Sequence, residues 1–302
     1  MKYQYQYFSE QDAIIDIFQV KAFYNSELVL TEYVAVMKSN GDTTVNQFGY
    51  ALQRPYLKSC LSAKNAQIAL NSYIEELRKI SANYEKAQCI LSSDYNKSDP
   101  TSLESIWFKK LHHDFDFRNV DFFSSVNLCL TVAEIRKSLR RSYKSLVNYD
   151  QRKLTVDIID KSNITLNDIR NFQKFHKFVS GKSTRSTLTW DIQYEMIKSG
   201  RAFLVVIRIL PNLQLLGCSL IEHSDSEALY SVGAYDRNNR NIPLGHIALF
   251  NGIIKSKAIG CKKFVVGNLL GHSNKASDKE KSISNFKSGF STHIESNYVF
   301  KC

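Results

Sequence analysis

The sequence predicts an α+β protein in two parts, residues 1–130 and 131–302. Each part is expected to be a mixed, mainly antiparallel sheet flanked by helices. Three observations lead there. Short β-rich runs alternate with amphipathic stretches along the whole chain. The order of elements in the second part, two helices, three strands, a helix and a strand, is echoed in the first. The charge is divided: residues 1–130 hold 13 Lys/Arg against 15 Asp/Glu, and residues 131–302 hold 27 against 14. A length of 302 residues suits two domains or one large one, and the second half, at +13 against −2 for the first, is expected to attract polyanions such as phosphates, nucleotides, RNA or anionic lipid.

In the first part the reading is strand-strand-strand-helix-strand-helix-strand. Residues 13–20 and 28–37 are apolar and β-rich, and Asn40-Gly41-Asp42 supplies a turn. Residues 44–52 follow as a third strand. Ile68, Leu70, Tyr73, Ile74, Leu77 and Ile80 recur at helical spacing over 64–84. Residues 87–91 read as a strand. Pro100 opens a helix carrying Leu103, Ile106, Trp107 and Leu111, and 115–130 is strand-like.

The second part opens on the most basic stretch, 132–153, expected to be one helix. Ile135, Leu139, Tyr143 and Leu146 give it an apolar stripe, and Arg136, Arg140 and Lys144 follow one another at four-residue spacing. Five cations in nine residues suggest a phosphate-binding face, with Ser138, Ser142 and Ser145 as further donors. After a strand at 154–159, Thr165 and Asp168 form a capping-box pattern, and Gly181 ends the helix they open. The polar loop GKSTRSTLTW leads to a helix over 190–199, stopped by Gly200. Strands at 202–210, 214–222 and 228–235 come in close succession. A helix from Pro243 to Ile259 and a strand at 263–267 complete the order. This is the element order of an acyltransferase fold of the GNAT type. Strand, polar turn, helix and strand over 228–267 would form a ligand cleft, and ISNFKSGF (283–290) brings one lysine and one aromatic ring to it.

Several functions are excluded. There is no P-loop, HExxH, GxSxG or zinc-spaced Cys/His set, so no metal site is expected. GHSNK (271–275) reads as a polar loop. The six cysteines form no CxxC pair and suit reduced thiols. MKYQYQYFSEQD lacks the apolar core of a signal peptide, and the longest apolar run, 202–210, is interrupted by Arg208 and is far short of ~20 residues. A cytoplasmic protein without a transmembrane segment is expected.

Four segments resemble the Fem-like acyltransferases, the family of the peptidoglycan-bridge aminoacyltransferases. They are LCLTVAEIRKSLRRSYKSLVN (128–148), HKFVSGKSTRSTLTWDIQYEMI (176–197), LYSVGAYDRNNRNIPLGHIALFNGIIKSKAIGCKKFVVG (229–267) and FKSGF (286–290). Similarity is greatest to members associated with bacterial surface-polysaccharide biosynthesis. The resemblance implies tandem GNAT-like domains and an aminoacyl or acyl transfer onto an amine or hydroxyl of a sugar-nucleotide or lipid-linked glycan precursor. It implies that Lys287, beside Phe286, stands in the acyl-transfer site, and that Arg140, Arg141 and Arg185 bind acceptor phosphates. It does not extend to the first 125 residues.

The residues themselves give a fuller list. A cationic Lys287 could neutralise a tetrahedral oxyanion. His246, one turn into the helix at 243–259, has the chemistry of a general base, although a structural histidine fits its position equally well. Lys144, His176, Trp190, Tyr230, Tyr235 and Arg237 are further candidates for lining a substrate site. His176 stands beside its helix stripe, and Tyr230 and Tyr235 serve a core as readily. Asp191 and Glu195 share a helix face, where they could polarise an acceptor amine but better suit pairing with nearby cations. No tightly bound cofactor is expected, and the acyl donor is either aminoacyl-tRNA or acyl-CoA. In DRNNRNIPLGH (236–246) a single glycine and Pro243 replace the glycine-rich turn that binds CoA pyrophosphate, which favours tRNA. Peripheral contact with a membrane is compatible with a lipid-linked acceptor. Two other readings stand beside this one: an acyl-CoA-dependent sugar N-acyltransferase, and a non-catalytic RNA- or polyanion-binding protein on the same scaffold.

Overall fold

A computed structural model describes residues 14–39, 41–47, 52–57, 61–94, 102–149, 153–239, 241–270 and 276–301. The expectations for the N-terminal twelve residues, Asn40, Cys60, Pro100, GHSNK (271–275) and Cys302 lie outside these. The chain divides into two compact units, Met1–Asp121 with Ser296–Cys302, and Phe122–Glu295.

In the first unit β1 (Ile14–Tyr24) and β2 (Glu27–Ser39) form an antiparallel hairpin, and β2 pairs antiparallel with β3 (Asp42–Asn46). Asn25 and Ser26, both at positive φ, make the tight turn of the hairpin. Helix α1 (Ala63–Ala82) then carries the chain over to β4 (Gln88–Asp94), which pairs parallel with β3. Ser62 caps α1 by accepting from the Asn65 N–H. Five of the six stripe residues, Leu70, Tyr73, Ile74, Leu77 and Ile80, point into the core, with Ala66 and Ala69 allowing close approach; Ile68 is instead exposed, on the outer side of the helix. Helix α2 (Leu103–Asp114) adds Trp107 and Leu111 to the same core.

The second unit begins within β5 (Asp116–Asn127). Strands β6 (Leu154–Ile159), β7 (Ala202–Ile209), β8 (Gln214–His223) and β9 (Glu227–Tyr235) pair antiparallel in succession. Helices α5 (Leu166–Ser180) and α6 (Thr187–Lys198) join β6 to β7. Helix α7 (Leu244–Ala258) crosses from β9 to the parallel β10 (Lys263–Asn268), and β5 pairs antiparallel with β10. Helix α8 (Asp278–Ser288) follows, and β11 (His293–Lys301) carries the chain back to the first unit, where it pairs with β4. The Thr165/Asp168 capping box and the left-handed Gly181 bound α5 as the sequence indicates. One core lies among α5, α6 and the sheet, and another among α7, α8 and the sheet.

Three expectations require correction. The stretch 132–153 is not one helix but two short ones, α3 (Val132–Ser138) and α4 (Tyr143–Leu146). A capping box from Thr131 and Glu134 starts α3, and the Ser138 hydroxyl donates back to the Ile135 carbonyl. Leu139 then turns extended, and the Arg140 N–H donates to Gly289 O at 2.9 Å instead of to its own helix. Leu139 and Tyr143 are buried as the stripe demanded, but Arg136, Arg140 and Lys144 form no continuous face. The helix expected at 190–199 begins three residues earlier, because Ser186 caps it. β11 was not anticipated.

Candidate functional site

Strands β9 and β10 are hydrogen-bonded neighbours only from Glu227 to Leu229 and Lys263 to Val265. β9 continues to Tyr235 and β10 to Asn268 without further pairing between them. Each has a bulge at the point of parting: Ser231 is the extra residue of β9 against β8, and Val266 that of β10 against β5. A bulge bends its strand and sharpens the local twist. Two bulges on neighbouring strands therefore open a gap in the sheet. The β9 bulge also turns Tyr230, Gly233 and Tyr235 to one side: a Cβ on Gly233 would fall 1.9 Å from the Tyr230 hydroxyl and 3.1 Å from that of Tyr235. The two phenols meet at 3.0 Å and Tyr235 meets Ser219 Oγ at 2.6 Å. Burial raises the pKa of both tyrosines, so they remain protonated.

Lys287 reaches the gap from the last turn of α8. Its Nζ donates to Asn268 O at 3.2 Å and lies 2.7 Å from where a Cβ on Gly267 would be. Gly267 has φ of +124°, a conformation that strains any side chain, and a Cβ there would also have to push the Lys287 ammonium aside. The ammonium is half-buried, and no carboxylate pairs with it among the described residues. Burial lowers its pKa from the ordinary lysine value. The rest of FKSGF holds it in place. Phe290 is fully buried, Gly289 lies against the Tyr143 ring, and Ser124 Oγ donates to the Lys287 carbonyl at 3.1 Å.

Beside the lysine is an aromatic wall. The His246 ring packs edge-on against Tyr143, at 4.4 Å between centroids, and against Phe286 at 5.1 Å, with Phe290 at 5.9 Å. Burial, and then the Arg140 charge, push the His246 pKa down to about 4. The imidazole is neutral at pH 7. Arg140 donates to Asn285 O and Oδ1, both at 2.9 Å, to Ser288 Oγ at 3.1 Å and to the Tyr143 hydroxyl at 3.3 Å. It closes the C-terminal end of α8, where a cation also suits the helix dipole. That engagement differs from the expectation of a free phosphate ligand. A Cβ on Gly245 would lie 3.4 Å from the Phe286 ring and 3.5 Å from the Tyr235 ring, so the two rings flank the start of α7.

No protein-family model and no curated protein matches the chain. Solved structures do. FemX superposes with a TM-score of 0.70 at 12% identity, over 98% of this chain and 90% of that one. L-PGS from Bacillus licheniformis gives 0.59 at 11% over 99% and 90%, and a tandem GNAT protein from the clavulanic acid biosynthesis pathway gives 0.53 at 8% over 95% and 82%. The chain has the fold of FemX and of the tandem GNAT protein. In this Fem-like fold the parted strands are β9 and β10, and Lys287 is the cation at their opening.

The structure gathers six of the sequence candidates here: Lys287, His246, Phe286, Tyr230, Tyr235 and Arg140. Three others meet elsewhere, against α5 and α6. Arg185 Nη1 lies 3.2 Å from His176 Nε2 and its guanidinium faces the Trp190 ring, while His176 packs edge-on to the same indole at 5.5 Å. Burial and the Arg185 charge lower the His176 pKa. Arg141 and Lys144 point to solvent from α3–α4, and Arg237 is exposed in the turn after β9. Asp191 pairs with Arg170, as its helix face suggested. Sequence reasoning missed Tyr143, Gly267, Asn268 and Gly289. Tyr143 was visible as a stripe residue, Gly267 and Gly289 only as members of the resembling segments, and Asn268 not at all.

The first turn of α7 is largely closed to an incoming phosphate. Leu244 N donates to Ile242 O, and His246 N and Ile247 N both donate to Pro243 O. Gly245 alone among these keeps its N–H without an acceptor among the described residues.

Proposed function

We propose that the protein is an acyltransferase that moves an aminoacyl or acyl group onto an amine or hydroxyl of a cell-surface glycan precursor. The observation that carries this reading is the uncompensated Lys287 ammonium at the opening between β9 and β10. Attack by the acceptor on the donor carbonyl carbon converts the carbonyl oxygen to an oxyanion. A half-buried cation stabilises that charge more strongly than water does, and its N–H donates directly to it. Collapse of the intermediate breaks the bond to the donor's alkoxide or thiolate, which takes up the proton that the acceptor loses and departs as the hydroxyl or thiol. His246, whose conjugate acid has a pKa of about 4, is a weak acceptor for that proton and acts as part of the wall that positions the substrate. Tyr143 and Phe286 shape the same wall.

The occupied N–H groups at the start of α7 favour aminoacyl-tRNA over acyl-CoA as donor, because a pyrophosphate held at a helix start needs several free N–H groups. The basic second half supports the same preference. The first unit has three antiparallel strands, a crossover helix and a parallel strand. These support its reading as a second GNAT-like copy.

The test is titration of deacylated tRNA and acyl-CoA separately against the protein, followed by turnover assays with aminoacyl-tRNA and glycan precursors. Saturable tRNA binding and acyl transfer that falls roughly 10²–10³-fold in Lys287→Ala support the reading. Binding of CoA alone would replace the donor. Turnover unaffected by Lys287→Ala would remove the site assignment.

A further inference from the structure

We infer that the outer end of the α5–α6 helix pair docks on an anionic membrane surface. Between Asp168 and Asp191 the chain carries Arg170, Lys174, Lys177, Lys182 and Arg185 and no carboxylate. The structure divides these five. Arg170 is paired with Asp191, and Arg185 is turned inward onto His176 and Trp190. Lys174, Lys177 and Lys182 are exposed, with no ion-pair partner among the described residues.

Two large apolar side chains stand among these lysines. Phe178 is 65% exposed and Leu188 is 51% exposed. Both belong to the same end of the helix pair, because the loop between them folds down onto α5. Gln173 Nε2 reaches Thr187 Oγ1 at 3.4 Å and Thr184 Oγ1 reaches His176 Nδ1 at 3.5 Å. Phe175 packs against Phe178 with 6.3 Å between ring centroids, a contact that leaves the outer ring facing solvent.

A single exposed apolar residue is ordinary. An exposed aromatic and an exposed aliphatic residue at one end of a helix pair, in a segment that carries three unpaired lysines and no acid between Asp168 and Asp191, have the composition of an interfacial anchor. The lysines attract anionic headgroups while the ring and the isobutyl group leave water for the acyl boundary. Nucleic acid fits the tip less well: Leu188 has no face on which a base could stack. The inference stands independently of the acyl-transfer reading.

The experiment is flotation of the purified protein with phosphatidylcholine vesicles and with vesicles carrying about 30% phosphatidylglycerol, a fraction sufficient for a negative surface potential. The protein is expected to float with the anionic vesicles only, less so as salt is raised. Each of Lys174→Gln, Lys177→Gln and Lys182→Gln is expected to lower partitioning about fivefold. The double variant Phe178→Ser, Leu188→Ser is expected to lower it at least about tenfold, with an unchanged melting temperature. Phe178→Trp supplies a readout that keeps the anchor: its emission is expected to shift to the blue on addition of anionic vesicles. No flotation, no blue shift, or flotation indifferent to the double variant would overturn the inference. Lysine variants that lose tRNA binding while vesicle binding stays intact would overturn it too, and assign the tip to RNA.

Discussion

The two units make the same connection and treat it in opposite ways. In the first, α1 leads from β3 to a parallel β4, and in the second α7 leads from β9 to a parallel β10. In the first unit the parallel pair is extended beyond β3. Leu52 bridges to Leu91, its N–H donates to Ile90 O at 2.7 Å, and its carbonyl accepts from Ser92 N at 2.7 Å. Leu52, Tyr73, Trp107 and Leu111 fill the space behind, all fully buried. In the second unit pairing stops at Leu229 and Val265, a bulge follows on each strand, and a lysine enters the gap. The connection is therefore not what makes a site. Bulges, Gly267 and a cation in an aromatic frame distinguish the second junction, while among the described residues the first is closed by an extra bridge and large buried side chains.

The comparison can be broken most forcefully at Trp107. Its indole N–H donates to Ser92 O at 2.8 Å in a fully buried position. Trp107→Ala is expected to cost about 3–5 kcal/mol in denaturant unfolding. The fraction that remains folded should keep its turnover per molecule, since Trp107 packs in the core of the first unit and Lys287 belongs to the second. A loss of turnover with no loss of stability would contradict that division of labour. Lys287→Ala should do the reverse, lowering turnover about 10²–10³-fold with little change in unfolding midpoint.

Gly267→Ala probes the same gap through the backbone. At φ of +124° an alanine is strained by about 1–3 kcal/mol, and its methyl would displace the lysine ammonium. Turnover should fall about 10²-fold, by misplacement alone. Activity equal to wild type would mean that Lys287 need not sit where the structure puts it.

The smallest effect expected is on pH dependence. The folded His246 has a pKa of about 4 against 6.5 for the unperturbed ring. Above about 6.5 both folded and unfolded states hold it neutral and stability is at its full value. As pH falls from there towards 4 the unfolded state binds the proton first, and stability is lost; below 4 both are protonated and this loss stops growing. Urea midpoints from pH 4 to 7 should therefore slope less steeply in His246→Phe than in the wild type. Parallel slopes would show that the ring is not held neutral by its surroundings.

Much of the frame was legible because its signals are local. Thr165 and Asp168 cap α5, Gly181 ends it, and strands β7 to β9 show apolar runs between turn residues. The FKSGF segment pointed to Lys287 through a family resemblance, and its position at a helix end is what the structure shows. The gap itself was not legible. The extra residues Ser231 and Val266 are defined only by what pairs opposite them, and no single-strand pattern contains that information. The break in 132–153 was hidden for a related reason. Leu139 and Tyr143 are both buried, as a continuous stripe requires, yet the cause of the break is an acceptor at Gly289 far along the chain. β11 escaped because HIESNYVFK alternates weakly, and only Val299 and Phe300 are buried in it.

The last strand has a bearing on how the molecule is made. β4 pairs with residues 297–301, and Phe300 completes the apolar interior of the first unit, which otherwise ends at Asp121. During translation that unit has to wait for a segment separated from it by the whole of the second. At about 5–20 residues/s the interval is roughly 10–35 s. Through it, the β4 edge and the pocket that Phe300 will fill stand open on the nascent chain, the period in which chaperone capture and aggregation compete.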